Sequence, residues 1–312
     1  MTLAIVFPGQ GSQSVGMGKA LQENYAASRD VFAEVDDALG ENLSRLIFEG
    51  PIEELTLTAN AQPALMAVSM ATMRALESEG FAVSSAAFAA GHSLGEYSAL
   101  AATGAISIAE TAKLLRIRGL AMQEAVPAGE GAMAAILGLE MEAVQALCDE
   151  SSQGEVCEPA NDNGGGQIVI SGAKGAVERA VARAGERGAK RAIPLPVSAP
   201  FHCALMSPAA ERMAQALKDA RISVPSIPVI TNVTADATQD PEMVRKRLVE
   251  QVTGSVRWRE SMIFAAEEGV DELAEIGAGK VLSGLAKRID KRLSARSIGT
   301  PDEIAAFLKD RG

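Results

Sequence analysis

This chain of 312 residues contains two histidines, and both lie in segments suited to acyl chemistry. His92 belongs to the pentapeptide Gly91-His92-Ser93-Leu94-Gly95, and His202 ends the segment Ala199-Pro200-Phe201-His202. A serine hydroxyl is a weak nucleophile at neutral pH unless a neighbouring base takes its proton, and histidine has the most suitable pKa for that role. If Ser93 is a nucleophile, its base is therefore one of these two histidines.

The segment around Ser93 lies between two predicted elements. An apolar run from Ala86 to Ala90 precedes it, and a helical pattern begins near Glu96. A strand, a sharp turn and a helix in this order project a serine hydroxyl above a sheet, and the flanking glycines allow the tight turn. The alternative is a plain glycine-rich turn, because so short a motif also arises by chance.

His202 is the better candidate for the base. Side chains of adjacent residues at a strand end point to different faces, so His92 is poorly placed to serve Ser93. His92 is either a packed residue that shapes the turn or a residue that supports the site with a hydrogen bond.

A loop after the first predicted strand contains Gln10. The backbone N–H of Gln10 together with that of Leu94 could form an oxyanion hole; a simple turn would explain the same loop.

The composition excludes several classes of partner. Hydrophobic residues make up 47% of the chain and the formal net charge is -11, so nucleic acid and anionic membranes are not expected to bind. No apolar run approaches the ~18 residues needed to span a bilayer, and the apolar N-terminal run stops at Pro8. Cys148, Cys157 and Cys203 are scattered, and no Cys or His pair has the spacing of metal ligands. We expect a cytoplasmic, monomeric protein without a metal.

Short apolar runs alternate with segments of helical periodicity along most of the chain. This pattern is typical of a mostly parallel sheet covered by helices. The predicted strands are Leu3 to Phe7, Ala86 to Ala90, Pro228 to Thr231, Glu272 to Ile276 and Ala295 to Ile298. The predicted helices are Ala61 to Glu79, Ser107 to Ala125, Ser207 to Ala220, Pro241 to Val252 and Pro301 to Lys309.

The rhythm changes between residues 127 and 198, where the predicted order is strand, helix, strand, strand, helix, strand. That order is typical of a ferredoxin-like α+β unit. We therefore predict an α/β fold in which residues 1–126 and 199–312 form a large α/β-hydrolase-like catalytic domain with a mostly parallel sheet. Residues 127–198 form an inserted ferredoxin-like subdomain, and a cleft between the two would hold His202.

Residues 161–166 are interpreted as a turn; a phosphate-binding loop would need a following helix and a Lys-Ser/Thr pair.

Five segments of the chain resemble those of malonyl-CoA:acyl carrier protein transacylases, the acyltransferases of bacterial type II fatty acid synthesis. They are Phe7-Pro8-Gly9-Gln10-Gly11-Ser12-Gln13, Gly91-His92-Ser93-Leu94-Gly95-Glu96-Tyr97, Arg116-Ile117-Arg118-Gly119, Gln167-Ile168-Val169-Ile170-Ser171-Gly172 and Gly277-Ala278-Gly279-Lys280-Val281-Leu282. They occur in the same order as in that family, and the resemblance covers essentially the whole chain. Acyltransferase domains of polyketide synthases and of large fatty acid synthases share these segments.

The resemblance implies roles for the residues at matching positions. Ser93 is similar to the nucleophile and His202 to its general base, which a backbone carbonyl at the position of Gln251 orients. The backbone N–H groups of Gln10 and Leu94 match the oxyanion hole.

Three further positions match residues that bind the acyl group. Arg118 resembles the arginine that pairs with the malonyl carboxylate, for which a planar guanidinium offers two parallel donors; on the residues alone, a solvent-facing arginine on the predicted helix would be preferred. Phe201 resembles the bulky residue that crowds a branched methylmalonyl group. Gln62 matches a position near the pocket, although a role at a helix start is equally consistent.

The implied activity is transfer of a malonyl group from malonyl-CoA to the phosphopantetheine thiol of acyl carrier protein, through a malonyl-serine intermediate and without a cofactor. Acyl carrier proteins are acidic, so basic residues are candidate contacts, and they are equally consistent with ordinary solvated charges. These residues are Lys190, Arg191, Lys287, Arg288, Lys291 and Arg292.

Other functions would leave different features in the sequence. A serine thioesterase or esterase shares the strand–turn–helix motif, but it predicts an acidic residue between Ser93 and a late histidine, whereas a long segment follows His202. A degenerate domain that only docks carrier protein would be expected to have lost some of the matching site residues. An acyltransferase that loads a polyketide carrier protein is the alternative within the same family, because its acyltransferase domains share these segments.

Overall fold

The computed structural model describes residues 1–197 and 199–311, in which strands and helices alternate along most of the chain. The strands are β1 (Leu3–Phe7), β2 (Ala86–Gly91), β3 (Gly131–Leu137), β4 (Cys157–Asp162), β5 (Gln167–Ala173), β6 (Arg191–Pro194), β7 (Val229–Ile230), β8 (Ala237–Thr238), β9 (Glu272–Ile276) and β10 (Ser294–Ile298). The helices are α1 (Lys19–Asn24), α2 (Ala26–Leu39), α3 (Leu43–Glu49), α4 (Ile52–Thr56), α5 (Thr58–Ser78), α6 (Gly95–Ala102), α7 (Ile108–Glu124), α8 (Met141–Ser152), α9 (Lys174–Arg183), α10 (Ser207–Asp219), α11 (Pro241–Thr253), α12 (Trp258–Glu267), α13 (Val281–Ile289) and α14 (Pro301–Lys309).

A mostly parallel sheet forms the centre of the larger part of the molecule. Its strand order is β10-β9-β1-β2-β7-β8, and every neighbouring pair is parallel except β7 and β8. All side chains of β1 and β9 are buried, as expected for strands that are covered on both faces. The strands predicted for this sheet all occur, each within one residue of its predicted bounds. Strand β8 was not predicted because its short run carries no periodicity.

A separate antiparallel sheet is formed within residues 131–194. Its strand order is β4-β5-β3-β6, and helices α8 and α9 pack against it. Val144 and Leu147 of α8, like Val177 and Ala180 of α9, are buried three residues apart and therefore fall on one face of each helix. The predicted order of strands and helices is confirmed for this segment. The molecule is thus a mixed α/β protein with a mostly parallel sheet and a separate antiparallel one.

Helix α5 is largely buried and contains a proline in its interior. Pro63 has no N–H to donate to the carbonyl of Ala59, four residues earlier, so this oxygen lacks its helical partner. Arg116 of α7 donates to the Ala59 oxygen at 2.6 Å instead. The helix can therefore begin at Thr58 rather than at the predicted Ala61.

Neither α5 nor any other helix in residues 1–197 and 199–311 combines the length and the apolar character needed to cross a membrane.

Helices α1–α4, α12 and α13 were not predicted, and α13 illustrates the reason. Its first turn is capped by a residue outside the helix, because the Glu275 carboxylate accepts hydrogen bonds from the N–H groups of Leu282 (3.0 Å) and Ser283 (2.7 Å). Glu275 lies in β9, so the local sequence of the helix shows none of the usual N-cap signals. The contact fixes the start of α13 against the end of β9.

The carboxyl ends of three neighbouring parallel strands position the polar residues described next. Gln10 follows β1, Ser93 follows β2 and Asn232 follows β7. Parallel strands that are neighbours end at the same edge of a sheet, where open α/β sheets place their ligands.

Candidate active site

Ser93 lies in a sharp turn between β2 and α6, and its backbone is in the left-handed region with φ of 53°. A Cβ atom on Gly91 would lie 1.9 Å from the backbone of Gly95, and one on Gly95 would lie 2.3 Å from the oxygen of Phe7. Both glycines are therefore required by close backbone approach. The strand, turn and helix predicted around Ser93 are confirmed, and the Ser93 side chain borders a cavity.

Asn232 holds this turn from the neighbouring strand. Its side-chain oxygen accepts a hydrogen bond from the Ser93 N–H at 2.8 Å, and its side-chain NH2 donates to the oxygen of Gly91 at 2.7 Å. A non-glycine residue in the left-handed region costs about 1–2 kcal/mol, so it persists where the surroundings fix it. Asn232 was not singled out from the sequence, because nothing local relates it to a residue 139 positions earlier.

Ser93 and His202 are in direct contact. The Ser93 Oγ lies 2.7 Å from the Nε2 of His202, and the Nδ1 of His202 lies 2.9 Å from the oxygen of Gln251 and 3.1 Å from that of Gly254. Carbonyl oxygens only accept hydrogen bonds, so they place the ring proton on Nδ1 and leave the Nε2 lone pair facing the serine. The arrangement is that of a nucleophile with an oriented base. Gly254 is a partner that the sequence did not reveal.

The environment of His202 keeps its imidazole neutral. Burial lowers the pKa of His202 to about 3, and the positive charge of Arg118 acts in the same direction. The hydrogen bonds to the two carbonyl oxygens oppose this shift without cancelling it. At neutral pH the ring is therefore unprotonated and available to accept the serine proton.

Arg118 is buried beside this pair, with 1% of its surface exposed. Its guanidinium donates to the side-chain oxygens of Gln62 (2.7 Å) and Gln251 (2.8 Å) and to the Oγ of Ser93 (3.1 Å). The interpretation of Arg118 as a solvent-facing residue of its helix is therefore wrong. Its partners are uncharged, so the guanidinium keeps its full positive charge next to the candidate nucleophile.

Gln62 does not start a helix. Helix α5 begins at Thr58, and Gln62 lies one turn later with 1% of its surface exposed. Its side-chain NH2 donates to the Oγ1 of Thr58 at 3.0 Å, and that hydroxyl donates to the side-chain oxygen of Gln10 at 3.0 Å. Gln62 is thus a buried link between Arg118 and the loop after β1, and the helix-start interpretation is wrong.

A cavity of about 390 Å³ opens onto Ser93 and His202. Residues of the antiparallel sheet, including Met133 and Val169, form one wall, and Val281 and Leu285 of α13 form another. Gln251 does not line the cavity but lies directly behind it. The lining residues that the sequence singled out are Gln10, Gln62, His92, Ser93, Leu94, Arg118, Phe201 and His202.

His92 faces away from the Ser93 hydroxyl and towards the antiparallel sheet. Its Nε2 lies 2.9 Å from the Oδ1 of Asn163, and its ring centre lies 5.7 Å from that of Trp258. Both interpretations of His92 therefore apply, because it packs in the turn and also makes a hydrogen bond. Residues 161–166 form the end of β4 and its turn into β5, so the turn interpretation is confirmed.

The basic residues proposed as carrier contacts lie beside two walls of the cavity. Lys287 and Arg288 lie in the last turn of helix α13, and Arg191 begins β6. All six are exposed, but the guanidinium of Arg292 is bound to the carboxylate of Asp290, with 2.6 Å between Nη2 and Oδ2. This contact lowers the pKa of Asp290 to about 2.

Within residues 1–197 and 199–311, no group of three His, Cys, Asp or Glu residues is placed to hold a metal ion.

Comparison with known proteins gives consistent similarities. Residues 4–299 match the model of the acyl transferase domain family. A malonyl CoA-acyl carrier protein transacylase of Bacillus subtilis is 49% identical over 308 residues, which are 98% of this chain and 96% of that protein.

Two solved structures are also similar over almost their whole length. The acyl-carrier-protein-S-malonyltransferase of Bartonella henselae superposes with a TM-score of 0.97 at 56% identity, covering 99% of both chains. The malonyl-transacylase in a complex with its type II PKS acyl-carrier protein has a TM-score of 0.96 at 44% identity, covering 99% of this chain and 100% of that one.

The neutral state of His202 predicts how the reactivity of Ser93 depends on pH. Because the pKa of His202 is lowered to about 3, phosphonylation of Ser93 by an aryl fluorophosphonate is expected to change less than about twofold between about pH 5.5 and pH 8. A histidine with an ordinary pKa would lose about tenfold at the acid end. The labelling rate is measured at each pH by intact-protein mass spectrometry, with Ser93→Ala as the control that takes up no label. A labelling rate that falls towards acid pH with a midpoint near pH 6.5 would contradict the lowered pKa of His202.

Proposed function

The chain belongs to the acyl transferase family and, within it, to the malonyl CoA-acyl carrier protein transacylases; from this premise we propose that it transfers a malonyl group from malonyl-CoA to the phosphopantetheine thiol of an acyl carrier protein. The observation that carries the proposal is Arg118, a buried guanidinium 3.1 Å from the oxygen of Ser93. A charge in this position favours an acyl group that brings its own carboxylate. An enzyme for neutral acyl groups would have to bury the same charge without a carboxylate in direct contact with it.

The first half-reaction acylates Ser93. The Nε2 of His202 removes the proton from the Ser93 hydroxyl as Oγ attacks the thioester carbon of malonyl-CoA, while the malonyl carboxylate pairs with Arg118. The backbone N–H groups of Gln10 and Leu94, at adjacent strand ends, stabilise the oxyanion of the tetrahedral intermediate. Collapse of the intermediate breaks the carbon–sulfur bond, and the CoA sulfur leaves with the proton from His202.

The second half-reaction repeats these steps with a new nucleophile. His202 takes the proton from the phosphopantetheine thiol, and the thiolate attacks the malonyl ester on Ser93. The ester bond to Oγ breaks, and Oγ recovers the proton from His202. The base thus returns to its neutral state after each half-reaction, which its depressed pKa favours.

The arrangement around His202 also supports acyl transfer over the hydrolase alternative. A typical serine hydrolase orients its histidine with a carboxylate. Here the Nδ1 of His202 faces the backbone oxygens of Gln251 and Gly254. Carbonyl oxygens carry no full charge, so they orient the ring while leaving its pKa low.

The finer architecture and the acyl preference are part of the same proposal. Residues 127–198 are an inserted ferredoxin-like subdomain, which the order β4-β5-β3-β6 supports, and residues 1–126 and 199–312 form the catalytic domain. The turn that carries Ser93 supports a likeness of that domain to α/β hydrolases.

Phe201 lines the cavity and disfavours a branched acyl group by ~1–3 kcal/mol. The three free, buried cysteines are consistent with a cytoplasmic location.

The carrier protein docks across the mouth of the cavity. Helix α13 lines one side with Val281 and Leu285 and ends in Lys287 and Arg288, while Lys190 and Arg191 precede the opposite wall at Leu195. An acidic carrier that bridges these two basic groups would direct its phosphopantetheine into the cavity between them. One similar structure is a malonyl-transacylase in complex with a type II PKS acyl-carrier protein, and an acidic surface is common to the carriers of fatty acid and polyketide synthesis.

A mass measurement tests the proposed reaction. After mixing with malonyl-CoA, the intact protein is expected to gain one malonyl group on Ser93, and the adduct should move to holo acyl carrier protein when this is added. Ser93→Ala should gain no mass, because no oxygen remains to form the ester. Release of free malonate without transfer would instead favour the thioesterase.

The role of Arg118 is tested by its effect on acyl preference. Arg118→Ala is expected to reduce the rate constant for malonyl loading at least about tenfold more than that for acetyl loading, because a charge-assisted contact is lost with malonyl alone. Both rates are measured on one preparation by quenching and mass spectrometry, so any loss of folded protein cancels in their ratio. Equal losses for the two donors would remove the assigned role.

Charge reversal tests the docking surface. The double variant Lys287→Glu and Arg288→Glu is expected to raise the KM for acyl carrier protein about tenfold and to leave malonyl loading unchanged, because the carrier is repelled while the cavity is intact. Lys309→Glu, an exposed lysine at the end of α14, is the matched control. An unchanged KM for the carrier would refute the assignment of this surface.

A further inference from the structure

Glu96 is a buried carboxylate beside the site that the proposed reaction does not use. It lies in the first turn of α6, three residues after Ser93, and 1% of its surface is exposed. Its Oε2 accepts hydrogen bonds from the N–H of Asn232 and from the side-chain NH2 of Gln251, both at 2.9 Å. Within the described residues its Oε1 has no hydrogen-bond partner. A carboxylate in this state is costly to bury, which calls for a functional reason.

Gln251 connects this carboxylate to Arg118. The side-chain NH2 of Gln251 donates to Glu96 and to the backbone oxygen of Ser93 at 3.0 Å, and its side-chain oxygen accepts from Arg118 at 2.8 Å. The orientation of the amide is therefore fixed, with its donor end towards the carboxylate and its acceptor end towards the guanidinium. Glu96 and Arg118 are a buried anion and a buried cation separated by one amide group.

We propose that Glu96 is a specificity-determining residue that acts through Arg118, because its carboxylate and the carboxylate of the substrate compete for the same guanidinium charge. This inference rests on the proposed function. A negative charge one amide group away lowers the positive potential at Arg118. The substrate carboxylate is then held less tightly than a solitary buried arginine would hold it, while a neutral acyl group is unaffected. Weaker ground-state binding favours passage of the malonyl group onward to the carrier.

The charge on Glu96 depends on pH near neutrality. Burial raises the pKa of Glu96 to about 7, against the opposing effects of hydrogen bonds from Asn232 and Gln251 and of the positive charges on Arg118 and Arg247. Below this pH the carboxyl is mostly neutral, and above it the carboxylate is mostly ionised. Competition with the substrate carboxylate therefore increases as the pH rises through 7. His202 does not change its charge in this interval, because its pKa is about 3.

Other charged groups near Glu96 do not reproduce this effect. Arg247 of α11 is bound to the carboxylate of Asp236, with 2.6 Å between Nη1 and Oδ1, and Tyr97 lies under the Arg118 guanidinium, 5.7 Å from its ring centre. Burial and the Glu96 charge raise the pKa of Tyr97 above its ordinary value, so its hydroxyl stays neutral. Arginine keeps its charge throughout this range.

The test replaces the charge while keeping the shape. In Glu96→Gln the side-chain oxygen can still accept from Asn232 and Gln251, so the site keeps its hydrogen bonds and loses a negative charge. The malonyl-CoA concentration that gives half-maximal acylation of Ser93 is expected to fall about three- to tenfold at about pH 8, while that for acetyl-CoA stays unchanged. In the wild type, the half-maximal concentration of malonyl-CoA divided by that of acetyl-CoA should rise from about pH 6 to about pH 8.5. In Glu96→Gln this malonyl-to-acetyl ratio should not change with pH.

The ratio of the two donors isolates the effect, since both carry the same CoA phosphates and meet the same protein surface. Glu272→Gln is the control for replacing a buried carboxylate away from the site, because Glu272 begins β9 at the amino end of the parallel strands, where it pairs with Arg296 and Arg311. It should leave the ratio and its pH dependence as in the wild type. A Glu96→Gln variant with an unchanged ratio, or with the wild-type pH dependence, overturns the inference.

The wild-type measurement keeps the inference testable if the variant does not fold. A malonyl-to-acetyl ratio that is flat across neutral pH in the wild type is sufficient to reject it. If the wild type forms no malonyl adduct on Ser93, the proposed function fails and the inference fails with it. If the adduct forms and the ratio is independent of pH, the inference fails and the proposed function stands.

Discussion

A full positive charge buried next to a nucleophile is the constraint around which the site is organised. Arg118 is buried at the wall of the cavity, and its partners are the neutral oxygens of Gln62, Gln251 and Ser93. Hydrogen bonds to neutral groups engage both Nη atoms of the guanidinium without cancelling its charge, and its Nε has no hydrogen-bond partner within the described residues. The charge therefore acts on whatever is nearby: it lowers the pKa of His202 and stabilises the ionised form of Glu96. A substrate carboxylate would complete an ion pair that the free protein leaves open.

The nucleophile depends on a second constraint, which is the close approach of two parallel strands. Gly95 allows the turn after β2 to pass against the end of β1, and Gly91 allows the same turn to close on itself, because a side chain on either residue would collide with backbone atoms there. The Ser93 backbone is consequently forced into the left-handed region, and Asn232 holds it there by bonding both sides of the turn. Strain of this kind is stored where surrounding contacts fix it. The result is a half-buried hydroxyl that borders the cavity and is held on a fixed backbone.

The antiparallel sheet contributes a wall of the cavity and a tie to the turn. Asn163, at the end of β4, bonds to His92, the residue before the nucleophile. The backbone of the same segment is joined to the other part of the molecule, because the N–H of Asp162 donates to the oxygen of Val256 at 2.9 Å. These contacts place Met133 and Val169 in the lining of the same cavity as Val281 and Leu285 of α13, so that apolar side chains from both parts of the molecule border the space next to Ser93 and His202.

Periodicity and turn chemistry were sufficient for the strands of both sheets except β8, for the order of elements in residues 127–198 and for the turn that carries Ser93, because these features depend on neighbouring residues. They failed for helix α13, whose cap comes from Glu275 in another element, and for the start of α5, where Arg116 compensates for a proline. The motifs drew attention to Ser93, His202 and Arg118. Their segments could not show which way the arginine faces, since it shares its helix with other charged residues.

Asn232, Gly254, Thr58 and Glu96 were recognised only once the chain was folded. Each acts on a residue far away in the sequence, and no local pattern records such a contact. The amino-acid sequence alone thus specifies the elements and the reactive groups, because both are properties of short segments. The distances that make those groups reactive, the 2.7 Å from Ser93 to His202 and the shared amide between Glu96 and Arg118, arise from packing between elements and belong to the tertiary structure.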